Sequence, residues 1–167
     1  MIYQQEASFR DAMRRLASTV TIISTTSGQG RRHGITATAV SSLSMDPPSL
    51  LVCVNRSGSL HDLLAEADHF CVNLLRIEQV DLSHVFAGKL GSEERFQHGN
   101  WAENEHGLPY ITDAQASIFC RKQDAIPHGS HSIFIGVVNK TLVSDDICPL
   151  LYGNGAYSRC APLEEAL

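Results

Sequence analysis

Short runs of β-branched and apolar residues recur along this chain, and turns separate most of them. Such runs occupy residues 20–26, 50–55, 69–75, 114–126, 131–143 and 150–159. β-Branched and aromatic side chains fit a pleated, half-buried surface, so each run reads as a strand. Residues 27–32, with two glycines, read as a hairpin loop, and Gly129 as a turn before the run that starts at His131. Gly153 and Gly155 interrupt the last strand. Strands at this short spacing, without a regular β–α alternation, predict a mainly β fold with flanking helices. A β-barrel fits that order better than a doubly wound parallel sheet.

Three stretches change to a helical period. In residues 8–16, Phe9, Ala12, Met13 and Leu16 fall on one face, with Ser8 as a candidate N-cap and Asp11 in the first turn. In residues 57–67, Leu60, Leu63, Leu64 and Ala67 share a face, and Ser57 or Ser59 can cap it. Residues 78–86 carry Val80, Val85 and Phe86 on one side. Residues 88–107 are polar and read as irregular, with a helical turn near residues 92–96. The prolines of Asp46-Pro47-Pro48 break the β-rich stretch before them, since proline removes a ladder donor.

A length of 167 residues fits a single domain, 1–167, large enough to bury a core without disulfides or metals. Hydrophobic residues make up 43% and charged residues 19%, which excludes a disordered chain. The net charge of −5 argues against a nucleic-acid partner but leaves room for a phosphate held by amides and a few cations. No apolar run approaches the ~18 residues of a membrane helix. Residues 1–9 lack a basic start followed by an apolar stretch, so a cytoplasmic protein is expected. The five cysteines are odd in number and form no C-x-x-C pair, and Cys53 and Cys71 lie in strand-like runs. Reduced thiols follow.

Four motifs carry candidate chemistry. Residues 34–44 cluster small and hydroxylated side chains at Thr36, Thr38, Ser41, Ser42 and Ser44. A strand normally prefers bulk, so either a flat ligand or a neighbouring chain approaches this backbone closely. Asn55-Arg56-Ser57-Gly58-Ser59 leaves a strand and enters a helix, a place for an anion or for a plain capped turn. His128 and His131 flank a turn; without a third ligand they suit hydrogen bonding to a ligand better than a metal site. Phe86 can wall off an aromatic ligand or fill the core, and Lys89 and Arg95 can meet a phosphate or face solvent. Gly153-Asn154-Gly155 lacks the third glycine and the setting of a dinucleotide fingerprint.

Taken in order, these segments resemble the short-chain flavin reductases, the reductase components of two-component flavin-dependent monooxygenases. The matching pieces are residues 9–13, 34–44, 46–48, 51–57, 70–75, 86–89, 95–96 and 129–138. The resemblance implies an FMN-binding split β-barrel with a Greek-key core, assembled as a homodimer with the flavin in a groove near the dimer interface. Thr36, Ala37, Thr38, Ala39 and Ser42 would line the isoalloxazine. Asn55, Arg56 and Ser57 would approach the ribityl chain and phosphate, and Phe86 and Lys89 would close the site. His131 matches the histidine of the family's Gly-Asp-His segment, which looks toward the nicotinamide. This chain departs from that pattern at Ser130 and Val137.

The implied activity is an NAD(P)H:flavin oxidoreductase. A hydride passes from NADH or NADPH to exchangeable FMN or FAD, and the reduced flavin leaves for a separate monooxygenase. His131 is the candidate catalytic residue, either placing the nicotinamide or holding the charge that builds on reduction. The alternative is a non-catalytic flavin-binding module or sensor on the same barrel. An oxidase of the pyridoxamine-phosphate type ranks last, because only Arg31, Arg32 and Arg159 could supply its second phosphate site.

Overall fold

The computed structural model describes residues 2–161, with side chains from Gln4 onward. Helix α1 (Ile2–Met13) precedes a short strand β1 (Ser18–Thr19). Strands β2 (Thr21–Thr26) and β3 (Arg32–Ala37) form a hairpin, and β4 (Val40–Met45) and β5 (Pro48–Asn55) form another. Helix α2 (His61–Glu66) leads to β6 (His69–Leu74). A 3-10 turn, Ile77–Gln79, opens directly into α3 (Val80–Ala87), followed by α4 (Ser92–Arg95) and the small pair β7 (Trp101–Glu103) and β8 (Pro109–Ile111). The long hairpin β9 (Ala116–His128) and β10 (His131–Val143) comes next, then the hairpin β11 (Leu150–Gly153) and β12 (Ala156–Arg159).

Seven strands form one antiparallel sheet in the order β3-β2-β6-β9-β10-β5-β4. Its two edge strands, β3 and β4, are joined by Thr38 and Ala39 alone. An extended chain advances at most about 3.6 Å per residue, so Ala37 and Val40 lie within about 11 Å. In a flat sheet, at about 4.8 Å per strand, the two edges would stand about 29 Å apart. The sheet therefore curls until its edges nearly meet and stays unzipped between them. That open seam makes the barrel split. Strands β5 and β6 are consecutive in the chain yet have β9 and β10 between them in the sheet, a Greek-key crossing carried by α2.

The core divides along strand alternation. Ile22 and Ile23 point to opposite faces of β2. Ile23 joins Val52, Val54, Phe70, Val72 and Phe134 inside the barrel, where Leu60 and Leu64 from the α2 segment plug it. Ile22 joins Val20, Leu75, Leu82, Phe86, Phe96 and Leu150 in a second cluster under α3 and α4. Each such side chain contributes about 1.5–3 kcal/mol when fully buried. Asn73, buried between these layers, donates to the Ile22 carbonyl and the Ser24 hydroxyl and accepts from the Ile111 amide and the Ser117 hydroxyl. A buried amide so satisfied carries little desolvation penalty.

Several elements differ from the sequence expectation, among them β7, which forms within residues 88–107 by pairing with β8. Helix α1 begins well before Ser8 and ends at Met13, short of Leu16, and its apolar face stays open, with Phe9 65% and Met13 43% exposed. Periodicity identifies a face that can be buried but not the surface that buries it. Helix α2 starts only after Leu60, which occupies the N-cap and has no capping group, so neither Ser57, bonded to Asn55, nor Ser59 caps it. Residues 34–44 are two strands and not one stretch, divided at Thr38 and Ala39. The last run is a hairpin, turned at Asn154 (φ 50°) and Gly155 (φ 78°).

Candidate functional site

The barrel seam opens into an apolar groove of about 790 Å³. Thr38, Ala39, Ser41 and Ser42 form one wall, Leu50, Leu51 and Cys53 of β5 the floor, and Leu16 to Thr19 the far side. Small side chains on β4 are what leave this space, since β4 pairs with β5 through Val40 and Val52 and no bulk rises from Ser41 or Ser42. The Ala39 carbonyl accepts from the Cys53 amide, which ties the seam to β5.

Two residues along the same face of β5, Asn55 begins a second, more polar cleft of about 500 Å³. Arg56, Ser57, His61, Asp62, Gly129 and Ser130 complete its lining. Asn55 Oδ1 accepts from the Ser57 amide (3.0 Å) and the Ser57 hydroxyl (2.9 Å), an Asx turn that sets the loop. The Arg56 amide donates to the Ser130 carbonyl at 2.9 Å, while its exposed guanidinium has no partner among the described residues. His131 is the cross-strand partner of Asn55, so β10 sets it, exposed, next to the cleft, though its side chain is not part of the cleft's lining. Gly129, at φ 55°, allows the turn that does so. The Ser130 hydroxyl pairs with His131 Nδ1 at 2.9 Å. Groove and cleft follow one another along one strand face, the first suited to a flat ring and the second to an anionic tail.

Ala37 packs against the barrel core beside Ile35, and the other expected residues occupy the α3 side of β3. The Thr36 hydroxyl donates to the Ser83 carbonyl of α3 at 2.7 Å and is not presented to the groove. The Ala37 carbonyl accepts from Thr21 Oγ1. Phe86 is only 1% exposed and packs on Phe96 and Trp101 in the core. Its ring therefore walls no open surface of this chain, contrary to expectation. The reason is Gly34, where a Cβ would come within 2.9 Å of that ring, so the glycine lets the phenyl press onto the strand. Lys89 follows α3, exposed. Arg95, a candidate phosphate contact, instead donates to main-chain carbonyls of Gly34, Phe86, Gly88 and Leu90. Arg32, a candidate for a second phosphate, is paired with Glu93 at 3.0 Å.

Sequence reasoning missed Cys53 and Leu16 as groove lining, and His61 as cleft lining. His61 Nε2 lies 2.9 Å from Ser132 Oγ and Nδ1 lies 2.8 Å from Asp62 Oδ1, which fastens α2 to β10. No spacing rule joins positions 61 and 132; only the strand register brings them together.

With this geometry in place, comparison with known proteins is decisive. A flavin reductase like domain matches residues 13–161. The reductase component of an FADH(2)-dependent resorcinol hydroxylase from Rhizobium is 46% identical over 156 residues, covering 93% of this chain and 87% of that one. An FMN reductase (NADH) RutF from Pseudomonas syringae is 44% identical over 128 residues, 77% of this chain and 71% of its own. The solved NADH:FAD oxidoreductase of Streptomyces globisporus, in complex with NAD and FAD fragments, is 26% identical with a TM-score of 0.87, covering 95% of this chain and 94% of that one. On a match that runs through nearly the whole barrel, the chain belongs to the flavin reductase-like domain family.

Proposed function

We propose that this chain is a single-domain NAD(P)H:flavin oxidoreductase that reduces exchangeable FMN or FAD and supplies it to a separate monooxygenase. The observation that carries this is that the seam groove and the Asn55 cleft lie two residues apart along β5, with His131 opposite Asn55. Relatives named for FMN, for NADH and for an FADH(2)-dependent hydroxylase support the same reading.

Thr38, Ala39 and Ser42 line the ring, with Thr36 and Ala37 holding their strand in place. Asn55, Arg56 and Ser57 take the ribityl chain and phosphate; the family resemblance adds Lys89 as a closing cation, although it lines neither opening of this chain. The bound flavin supplies the hydride acceptor, and the chain supplies orientation. His131, its Nδ1 held by Ser130, fronts the nicotinamide with its other ring nitrogen. Bringing two flat rings to contact distance is the main catalytic contribution, so no acid or base is needed for the hydride itself. The apolar groove keeps water from the stacked rings, and its openness allows the flavin to leave.

The same reading includes a homodimer and a cytoplasmic setting. Leu16 and Met45 are exposed apolar side chains that line the groove, and Phe9, Met13 and Leu43 are exposed as well, surface that a second copy would cover. No helix among the described residues is long and apolar enough to cross a membrane.

The test is NADH and NADPH oxidation by purified protein with added FMN or FAD. Turnover well above the free-flavin background is expected. Flavin binding with no oxidation of either nicotinamide would leave only a binding module. His131→Ala should raise the KM for NADH about tenfold with flavin affinity within about twofold, and equal loss of both would remove the assigned role. Sedimentation should find a dimer; a monomer at micromolar concentration would end that part.

A further inference from the structure

The Asn55 cleft offers an anion less than its strand-to-helix setting suggests. Four of its loop amides are already committed inside the chain. The Arg56 amide donates to the Ser130 carbonyl (2.9 Å) and the Ser57 amide to Asn55 Oδ1 (3.0 Å). The Gly58 amide donates to the Asn55 carbonyl (3.0 Å) and the His61 amide to the Gly58 carbonyl (3.1 Å). The Ser57 hydroxyl donates to Asn55 as well. These residues therefore do not form a nest of free N–H groups of the kind that seats a terminal phosphate. Arg56 is the one arginine or lysine in the lining, exposed and without an ion pair among the described residues.

A carboxylate stands in the same wall. Asp62 lines the cleft with its side chain 91% exposed, so a ligand there meets it directly. It is also anchored. His61 Nδ1 lies 2.8 Å from Asp62 Oδ1, His61 Nε2 lies 2.9 Å from the buried Ser132 hydroxyl, and the imidazole packs edge-on against Phe134. With one ring proton, Nδ1 donates to the carboxylate and Nε2 accepts from the hydroxyl, so both bonds form around an uncharged ring. The cleft then sets one cation against one fixed carboxylate.

Flavin tails differ in how they meet this balance. A terminal phosphate monoester gathers a charge of about −1.5 to −2 on one group at neutral pH. A diphosphate bridge spreads its charge over two phosphates and continues into a nucleoside. Repulsion from a carboxylate falls hardest on the concentrated charge, and salt screens it at an exposed site. Size points the same way. A volume of about 500 Å³ lies in the range of pockets that take a whole small molecule, and one phosphate group leaves most of it empty.

We propose that Asp62 is a specificity-determining residue that disfavours the terminal phosphate of FMN, so that the flavin of this chain is FAD, its diphosphate crossing the cleft past Arg56. This rests on the reading above that the flavin tail enters the Asn55 cleft.

The experiment titrates the full chain with riboflavin, FMN and FAD by calorimetry, for the parent, Arg56→Gln and Asp62→Asn, with melting temperatures alongside. It is run at low and high salt and at about pH 8, where an ordinary histidine is neutral. The parent should bind FAD about tenfold more tightly than FMN at low salt. Asp62→Asn should tighten FMN about fivefold and FAD less than about twofold, and high salt should shrink that gap. Arg56→Gln should weaken FAD about tenfold. Riboflavin, which has no phosphate, should respond to neither substitution. If Arg56→Gln leaves all three flavins unchanged, the tail is not in the cleft, and the reading and the proposal fall together. If Arg56→Gln weakens FAD while Asp62→Asn keeps the parent's ratio of FMN to FAD affinity, the proposal alone falls. A parent that prefers FMN would overturn it too. So would a lowered melting temperature in Asp62→Asn with all three flavins weakened alike, which would make the carboxylate structural.

Discussion

The two sides of strand β3 are built in opposite ways. Toward α3 the strand is packed and bonded at every level: Gly34 lies under Phe86, Thr36 bonds to Ser83, and Arg95 joins Gly34 to the end of the helix. Toward the seam, Thr38 and Ala39 run into the open groove, with small side chains and few contacts. Both sides belong to the same short segment of chain. The contrast teaches that a fixed frame has been set beside an empty edge. A ligand in the seam meets a strand that does not have to be ordered again on binding, which lowers the entropic cost of holding it.

The largest effect should come from breaking the packed side. Gly34→Val places a side chain against a ring that is buried and cannot retreat. A loss of about 3 kcal/mol is expected, read as a fall of roughly 10 °C in melting temperature. A variant that melts like the parent would mean the seam and the helix side are not so different. Filling the open side should do the reverse. Ala39→Trp, at an exposed position lining the groove, should cost about tenfold or more in flavin affinity with little change in melting temperature. If stability fell and affinity held, the groove would be structural.

Asn55→Ala tests the polar end of the open side. Losing the Asx turn at Ser57 should weaken FMN several-fold and destabilise the chain by about 1 kcal/mol. An unaltered affinity would detach the second cleft from the flavin.

The smallest effect sharpens the packed side through pH. His33 Nδ1 pairs with the Ser92 hydroxyl, while Nε2 is buried without a partner among the described residues. Burial pushes the His33 pKa below its ordinary 6.5, and Arg31 acts in the same direction against a smaller opposing pull from Glu93. The folded ring thus binds a proton less readily than the unfolded one. Its contribution to stability is complete above about pH 6.5 and is lost as pH falls below that toward the depressed folded value. Melting temperature should decline on that acid side, and His33→Gln should decline less. Parallel curves for the two would exclude His33 as the source.

Much of the fold was legible because strands announce themselves locally. The run from His131 to Val143 is β10 to the residue, and residues 20–26, 50–55 and 69–75 each contain a strand core. The small-residue wall of the groove and the turn lining the polar cleft were also readable, since Thr38, Ala39 and Ser42 stand out by small size and Asn55 to Ser57 by turn chemistry. Phe86 was not. A phenylalanine after a helical stretch reads the same whether it lines a ligand or fills a core, and the deciding partner, Gly34, lies far away in the chain. Arg95 was misread for a similar reason: an exposed-looking charge in a polar segment gives no hint that carbonyls will surround it.

By itself, then, the sequence determined which segments are strands, where the chain turns, and which small-residue stretch has room for a ligand. These depend on a residue and its near neighbours, through side-chain shape, proline and glycine. Tertiary structure alone decided that the sheet's edges meet at Thr38 and Ala39, that His131 faces Asn55, and that Arg95 looks inward to the backbone. Those outcomes depend on strand register and on barrel curvature, which arise only when distant segments compete for the same partners and the same buried volume.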